Sequence, residues 1–383
     1  MKKFWTASLL LLATLALAAC GKLSFNDTST TSSGTKTESY QTTGTVNDAL
    51  YQGVIKNGRY QISSARGLTI QQNTQGGNNF NVKSMETGLT NLAQKQFSTS
   101  KYVFQEGQLI TTATAKSWLA RKTDKNADGL NPEDNGQEDA DKRAPMYLQS
   151  LVEQDFMTQD GSNLKLGGIA IALALNEYDY YQKVKYGATY TTTIDQTKLA
   201  EEGKQIAAKV VARLRKMDGV SADIPIIVGL YRNAARDSLV GGVFFAEATA
   251  ASGDSLGSWT NIDQQNEVLP VIDNKKPINS TVATDFNSFT TQIENFFPTL
   301  AGVTAQTHYE NGALTGMNIT INTQFYGETE IESFTQYVGT TASKYLPSGA
   351  KIEITVQATQ GIQAFLARES GAKDFTTHVF GSY

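Results

Sequence analysis

One cysteine, Cys20, stands in a chain of 383 residues, so everything beyond it must fold on buried apolar side chains, with no disulfide and no thiolate metal cluster. The residues in front of it read MKKFWTASLLLLATLALAA. Lys2 and Lys3 open a basic start, an apolar run of 16 residues extends from Phe4 to Ala19, and small residues close it. This is the charge and hydropathy order of an export signal. The run is shorter than the roughly 20 residues a membrane-spanning helix needs, and no basic stop follows it. Cleavage is therefore expected rather than retention, with residues 1–19 as the signal peptide.

Leu17-Ala18-Ala19-Cys20 resembles the lipobox of bacterial lipoproteins, in which diacylglycerol is attached to the thiol and the bond between Ala19 and Cys20 is then cut. Small side chains at Ala18 and Ala19 let a peptidase close on the backbone. At ~0.8 kcal/mol per buried CH₂, one acyl chain binds marginally and two hold stably. The expected location is thus the extracytoplasmic face of the cell membrane, with covalent lipid such as palmitate on Cys20, lipoprotein-processing enzymes as partners, and no other cofactor. From Leu23 to about Val46 the chain is Ser, Thr, Gly and Asn with little to bury, and residues 20–47 read as a flexible spacer. Loss of Lys2 and Lys3 with the leader leaves 31 basic residues against 37 acidic ones, a balance near −6 that disfavours nucleic acid as a partner.

Residues 48–383 are globular in composition, and a soft boundary near Lys185 to Asp195 divides them into domains at 48–190 and 191–383. In the first, YQGVIKNGRYQI reads as strand, Glu86 to Gln96 as helix, Lys122 to Lys142 as a polar insertion and LKLGGIAIALAL as strand. In the second, Leu199, Ile206, Val210, Leu214 and Met217 make a helical stripe, with Asp195 as N-cap and Gly219 past its end. A buried strand is expected from Ile224. Phe286, Phe289, Ile293, Phe296 and Phe297 form a second stripe stopped by Pro298, and Ile331, Phe334, Val338, Ala342 and Tyr345 form a third closed by Pro347 and Gly349. Asn311-Gly312 between two β-rich runs predicts a tight hairpin, and Ile352, Ile354 and Val356 alternate as in a half-exposed strand. The fold class is α+β, with a largely antiparallel sheet, packed helices and two subdomains. No repeat of fixed period is present.

Three patterns could carry chemistry. Gly253-Asp254-Ser255-Leu256-Gly257 satisfies G-x-S-x-G and spells the GDSL signature of an esterase family, which would make Ser255 a nucleophile. No helical stripe follows it, and Asp374 and His378 are four apart where an Asp-x-x-His is wanted, so a Gly/Ser surface loop is favoured over a catalytic one. Asp124, Asn126, Asp128 and Gly129 match the first half of an EF-hand loop, which would serve a calcium-dependent adhesion or solute-binding module. Position 12 is Asn135 where a bidentate glutamate is needed, so a solvated acidic loop is favoured and no resident metal is expected. Only two histidines exist, His308 and His378, which leaves no three-histidine site, and no phosphate-binding glycine motif occurs.

Several blocks resemble the CamS-type sex-pheromone precursor lipoproteins of Gram-positive bacteria. They are FQEGQ from Phe104, SWLARK from Ser117, GLNP from Gly129, GIAIALALNEYDYYQK from Gly168, RLRK from Arg213, IPIIVGLYRNA from Ile224, GVTAQTHYENGAL from Gly302 and FYGETEIESFTQYV from Phe325. The resemblance implies a cell-surface lipoprotein whose leader gives up a short hydrophobic peptide, here about Ala13 to Ala19, ATLALAA, for peptide signalling. It implies no reaction for the mature domain, which is expected to bind an envelope partner or a small ligand without acting as an enzyme. In and beside the last two blocks polar and aromatic side chains crowd at strand and helix ends, and His308, Tyr309, Gln324, Tyr326, Glu330 and Tyr337 are the candidate ligand-binding residues.

Overall fold

The structure is a computed structural model that describes residues 40–66, 68, 77–79, 81–160, 163–272, 275–296 and 302–381. The leader, the lipobox with Cys20, and the spacer up to residue 39 lie outside the described residues. Within the stretch expected as spacer, Tyr40–Thr42 forms strand β1 and pairs antiparallel with β2, Val54–Lys56. YQGVIKNGRYQI is not one strand: β2 turns into β3, Arg59–Tyr60, through Asn57 and Gly58, both at positive φ.

Two six-stranded sheets follow among the described residues, and the strands of each lie side by side in chain order. The first comprises β4 (Val103–Glu106), β5 (Leu148–Asp160), β6 (Asn163–Leu175), β9 (Ile226–Arg232), β10 (Val243–Ala250) and β11 (Thr260–Asn261). In the second, β12 (Gln264–Leu269), β13 (Gly302–Glu310), β14 (Ala313–Asn322), β15 (Lys351–Ala358), β16 (Gly361–Arg368) and β17 (Thr376–Val379) lie side by side. All neighbours are antiparallel except the central pair of each sheet, β6 with β9 and β14 with β15. Helices α1 (Val82–Gln94), α2 (Thr112–Leu119), α3 (Gln196–Leu214), α4 (Ser280–Phe296) and α5 (Glu328–Tyr345) complete the α+β fold, together with the small hairpin β7 (Tyr178–Gln182) and β8 (Thr189–Thr193).

The two sheets share a plan that no sequence period announces. Each runs strand, helix, two strands, helix, three strands. The first helix is α2 or α4, and the crossover helix is α3 or α5. Hairpin β7–β8 is inserted into the first crossover. The segment from Lys185 to Asp195, expected as a domain boundary, lies inside that crossover, between two strands of one sheet. The stripe of α3 buries Leu199, Ile206, Val210 and Leu214 against the first six-stranded sheet, and the chain passes from that sheet to the second between β11 and β12.

Alternation of size explains why IAIALAL is a strand with no polar face. Ile169, Ile171, Leu173 and Leu175 face α2 and α3, while Ala170, Ala172 and Ala174 face α1. Both faces are covered, and the alanines admit α1 closely. At the same contact Gly88 of α1 and Gly229 of β9 flank the Phe244 ring, and a Cβ on Gly88 would sit 2.5 Å from it. On an exposed helix, glycine to alanine gains about 1 kcal/mol; here Gly88→Ala is expected to cost about 1–3 kcal/mol by overpacking. Gly88→Ala with Phe244→Leu should recover most of that loss in urea unfolding. The second sheet is covered on one face only, by α4 and α5, so its strands alternate buried and exposed residues, as Ile352, Ile354 and Val356 do. At the β13–β14 turn Asn311 and Gly312 have φ of 51° and 75°, the geometry their sequence predicts.

Strand β5 carries two buried carboxyls on one face. Glu153 takes the N–H groups of Leu109 (3.0 Å) and Ile110 (2.8 Å), and Asp155 takes that of Gln108 (3.0 Å). Burial holds Glu153 above the usual carboxylate range, and burial together with the charge of Glu153 pushes Asp155 well above it. A folded-state pKa above the unfolded one gives stability that is complete below the ordinary carboxylate range and is lost as pH rises through the folded value. Asp155→Asn, which copies the protonated form, should therefore match the parent near pH 4 and gain on it steadily toward pH 8 in urea midpoint. A gap that does not change with pH would contradict this assignment.

Candidate functional site

Parallel strands β6 and β9 end in register, Leu175 opposite Arg232. Polar residues follow at once: Asn176, Glu177 and Tyr178 after β6, Asn233 after β9. Carboxyl ends of adjacent parallel strands form a natural crevice, because their connections leave in different directions. Here a cleft of about 600 Å³ opens at that place, lined by Glu177, Tyr178, Arg232 and Asn233 on one side. Residues Gln264 to Val268 of β12 line the other side, with Leu239, Val271, Ile272 and Ile278 at its margins. A second cleft of about 380 Å³ shares Arg232, Gln264 and Gln265 with it and reaches Gln196 at the start of α3.

Side-chain hydrogen bonds fix the cleft walls. Asn266 Nδ2 donates to the carbonyls of Gly241 and Gly242, both at 3.0 Å, and its Oδ1 lies 2.6 Å from His308 Nδ1. Gln264 Oε1 takes the Phe244 N–H at 3.1 Å, and Gln306 Nε2 donates to the Leu239 carbonyl at 2.9 Å. Gly242 must be glycine, since a Cβ there would lie 1.9 Å from the Arg232 carbonyl oxygen. Behind the β6 end, Asn78 bridges to Asn176 Oδ1 (3.0 Å) and to the Tyr178 backbone, its side chain giving to the carbonyl and accepting from the N–H.

Asn233 stands apart from these paired amides. It is 0% exposed, and neither its Nδ2 nor its Oδ1 has a hydrogen-bond partner among the described residues. Glu267 Oε2, also in the cleft wall, is buried and unpaired, while its Oε1 accepts the Ile278 N–H at 3.0 Å. Burial raises the carboxyls of both Glu267 and Glu177, the latter opposed by the Arg232 charge. At the corresponding ends of β14 and β15 the amides satisfy each other, Gln357 Nε2 donating to Asn322 Oδ1 at 2.7 Å. An unmet buried polar group costs about 1–3 kcal/mol. Asn233→Leu, similar in size and apolar, is accordingly expected to raise unfolding stability by about 1–3 kcal/mol, read as a higher urea midpoint. A lowered midpoint would show that the carboxamide is satisfied in the free protein.

A family model described as CamS sex pheromone cAM373 precursor matches residues 60–374. The chain belongs to the CamS family. A crystal structure of a sex pheromone precursor from Lactobacillus salivarius subsp. salivarius UCC118 is 46% identical, with 90% of this chain and 100% of that one covered and a TM-score of 0.85. The C-terminal domain of the sex pheromone staph-cAM373 precursor from Staphylococcus aureus is 27% identical, covers 79% of this chain and 97% of its own, and has a TM-score of 0.68. No curated protein matches the chain.

Two of the CamS-like blocks, NEYDYYQK after GIAIALAL and IPIIVGLYRNA, run directly into the cleft at Glu177-Tyr178 and Arg232-Asn233. Others are structural. Asn131 of GLNP is 1% exposed and ties the Leu119 carbonyl to both the N–H and the carbonyl of Leu148. Arg121 of SWLARK caps the carbonyls of Pro132 and Ala144.

The six residues proposed from motif crowding do not converge. His308 and Tyr309 lie at the hairpin end of β13, whereas Gln324 and Tyr326 follow the far end of β14, roughly 30 Å away at ~3.3 Å per residue. Tyr309 is 1% exposed in the second core. Tyr337 stacks on Phe296 at 4.5 Å and is likewise packing, while Tyr326 is 59% exposed and Glu330 is exposed in the first turn of α5. Only His308 touches the cleft, through Asn266.

The two other motifs are resolved by their neighbours. Ser255 is exposed in the turn joining β10 to β11, so an antiparallel strand follows it where a nucleophile elbow requires a helix. Asn126 spends its side chain on Ser117, accepting from the hydroxyl at 2.7 Å and donating to the carbonyl at 2.9 Å, and the Asp128 carboxylate lies 3.9 Å from Arg213. Among the described residues no group of three or more His, Cys, Asp or Glu side chains could hold a metal ion. No helix among them is long and apolar enough to cross a membrane.

Proposed function

We propose that this CamS-family chain is an extracytoplasmic lipoprotein with two products: a mature domain anchored to the membrane by lipid on Cys20, and a hydrophobic peptide from about Ala13 to Ala19. Lipoprotein-processing enzymes separate the two. The peptide is uncharged and apolar, which suits passage through membranes and capture in an apolar receptor groove. The mature domain is a non-enzymatic binding module, and its site is the cleft at the ends of β6 and β9. The observation that carries this is Asn233, a fully buried carboxamide with two unmet groups in a cleft wall. Folding tolerates such a loss where a ligand restores it.

Two measurements test the proposal. Mass spectrometry of culture supernatant should find a heptamer or octamer ending at Ala19, and Cys20→Ser should abolish both that peptide and the diacylglycerol mass carried by the protein. A parent chain without lipid mass on Cys20, or a Cys20→Ser chain that still releases the peptide, would remove the anchor. For the domain, hydrogen exchange in the presence of an envelope extract should slow in residues 232–243 and 264–268. An extract that protects no residue of the cleft would remove the binding role.

A further inference from the structure

Resting on that reading of the cleft, we propose that its ligand is a short peptide without net charge, bearing small or aliphatic side chains and lying extended beside β12, with one of its backbone amides held by Asn233. Strand β12 is the terminal strand of its sheet, so the sheet supplies no neighbour on its outer side. Five consecutive residues of it, Gln264 to Val268, line the cleft. A strand presenting a face would contribute every second residue; contiguous lining means that the cleft meets β12 edge-on. An extended peptide adds to such an edge through main-chain hydrogen bonds.

Asn233 supplies what a secondary amide needs. Its carboxamide has donors and an acceptor in one plane, matching the C=O and N–H of a peptide group, and Glu267 Oε2 offers a further acceptor for an N–H. Leu239 and Ile272, 66% and 59% exposed, stand at the margin with Val271 as an apolar lip for side chains. Among the described lining residues, Arg232, Lys275 and Lys276 stand against Glu177, Asp237 and Glu267. Neither a polyanion nor a polycation is favoured. Tyr178 is the one aromatic residue among those lining this cleft, a poor platform for stacking sugars or bases. The volume, about 600 Å³, lies within the ~300–1,000 Å³ of small-ligand sites.

The test is calorimetric titration of the chain as its host produces it, purified in detergent, with acetyl-Leu-Ala-Leu-Ala-amide, and with N-acetylglucosamine, which carries an acetamido group without a peptide backbone. The peptide should bind and the sugar should not. Asn233→Leu should weaken the peptide at least tenfold without lowering the melting temperature, and Asn233→Gln should restore part of the affinity. Equal affinity for parent and Asn233→Leu, preference for the sugar, or no binding of the peptide would each overturn the peptide assignment. If the envelope extract still slows exchange in the cleft of the parent but not of Asn233→Leu, only the ligand class is wrong; without that protection the binding cleft falls with it.

Discussion

Glu153→Ala is expected to cost the fold about 3–5 kcal/mol, a large share of a typical domain's stability. The Glu153 side chain accepts two consecutive N–H groups, those of Leu109 and Ile110. Its own carbonyl takes the Gly107 N–H at 3.1 Å, and Gly107 passes so near that a Cβ there would lie 2.5 Å from the Glu153 Cβ. The segment so pinned leads straight into α2, whose Trp118 and Leu119 lie in the first core. Truncation strips the partner from the buried Ile110 N–H, at about 1–3 kcal/mol, and from the part-buried Leu109 N–H, and opens a void beside Ile110, which is 0% exposed. Glu153→Gln keeps one acceptor and should lose roughly half as much. Urea unfolding measures both, and a loss below about 1 kcal/mol for the alanine variant would mean that this carboxyl does not hold the segment.

Phe334→Ala should be comparably severe in the second half of the molecule, at about 3–5 kcal/mol. Its ring is fully buried on α5, edge-on to Phe325 at 5.3 Å and tilted against Phe296 at 5.6 Å, and it belongs to the same core as Ile319, Ile352 and Ile354. The second sheet is covered on one face, so no opposite layer can compensate when that contact is lost. Hydrogen exchange should accelerate in β14 and β15 ahead of β6 and β9. Tyr326→Ala, on the exposed turn before the same helix, should stay within about 0.5 kcal/mol of the parent. Similar losses for the two variants would contradict the assignment of this core.

Much of the secondary structure was legible because burial in this protein is periodic. The stripes of α3, α4 and α5, the Asp195 cap, the Asn311-Gly312 turn and the alternation in β15 all write tertiary environment into local pattern. Strand β5 was not legible. Over Leu148–Asp160 the chain buries Gln149, Ser150, Glu153, Gln154 and Asp155, and a polar residue facing a core gives no periodic signal. Its partners, Asn78 for Gln149 and the segment Gln108 to Ile110 for the carboxyls, come from elsewhere in the chain. The cleft was hidden for the same reason. Asn176 and Asn233 read as unremarkable polar residues after apolar runs, and only the ends of those runs marked them.

Local order came from the residues alone: an α+β chain whose single cysteine allows no internal disulfide, and the helices and hairpin whose apolar spacing repeats every few residues. Family membership was also written there, in blocks that survive as contiguous strings. Contacts across the fold set how distant pieces meet: that the chain passes to the second sheet after β11, that two sheets share one plan, and that β6, β9 and β12 border a cleft whose wall holds an unmet carboxamide. Periodicity reports how a residue faces its own element. Which buried polar groups find partners depends on contacts between segments far apart in the chain.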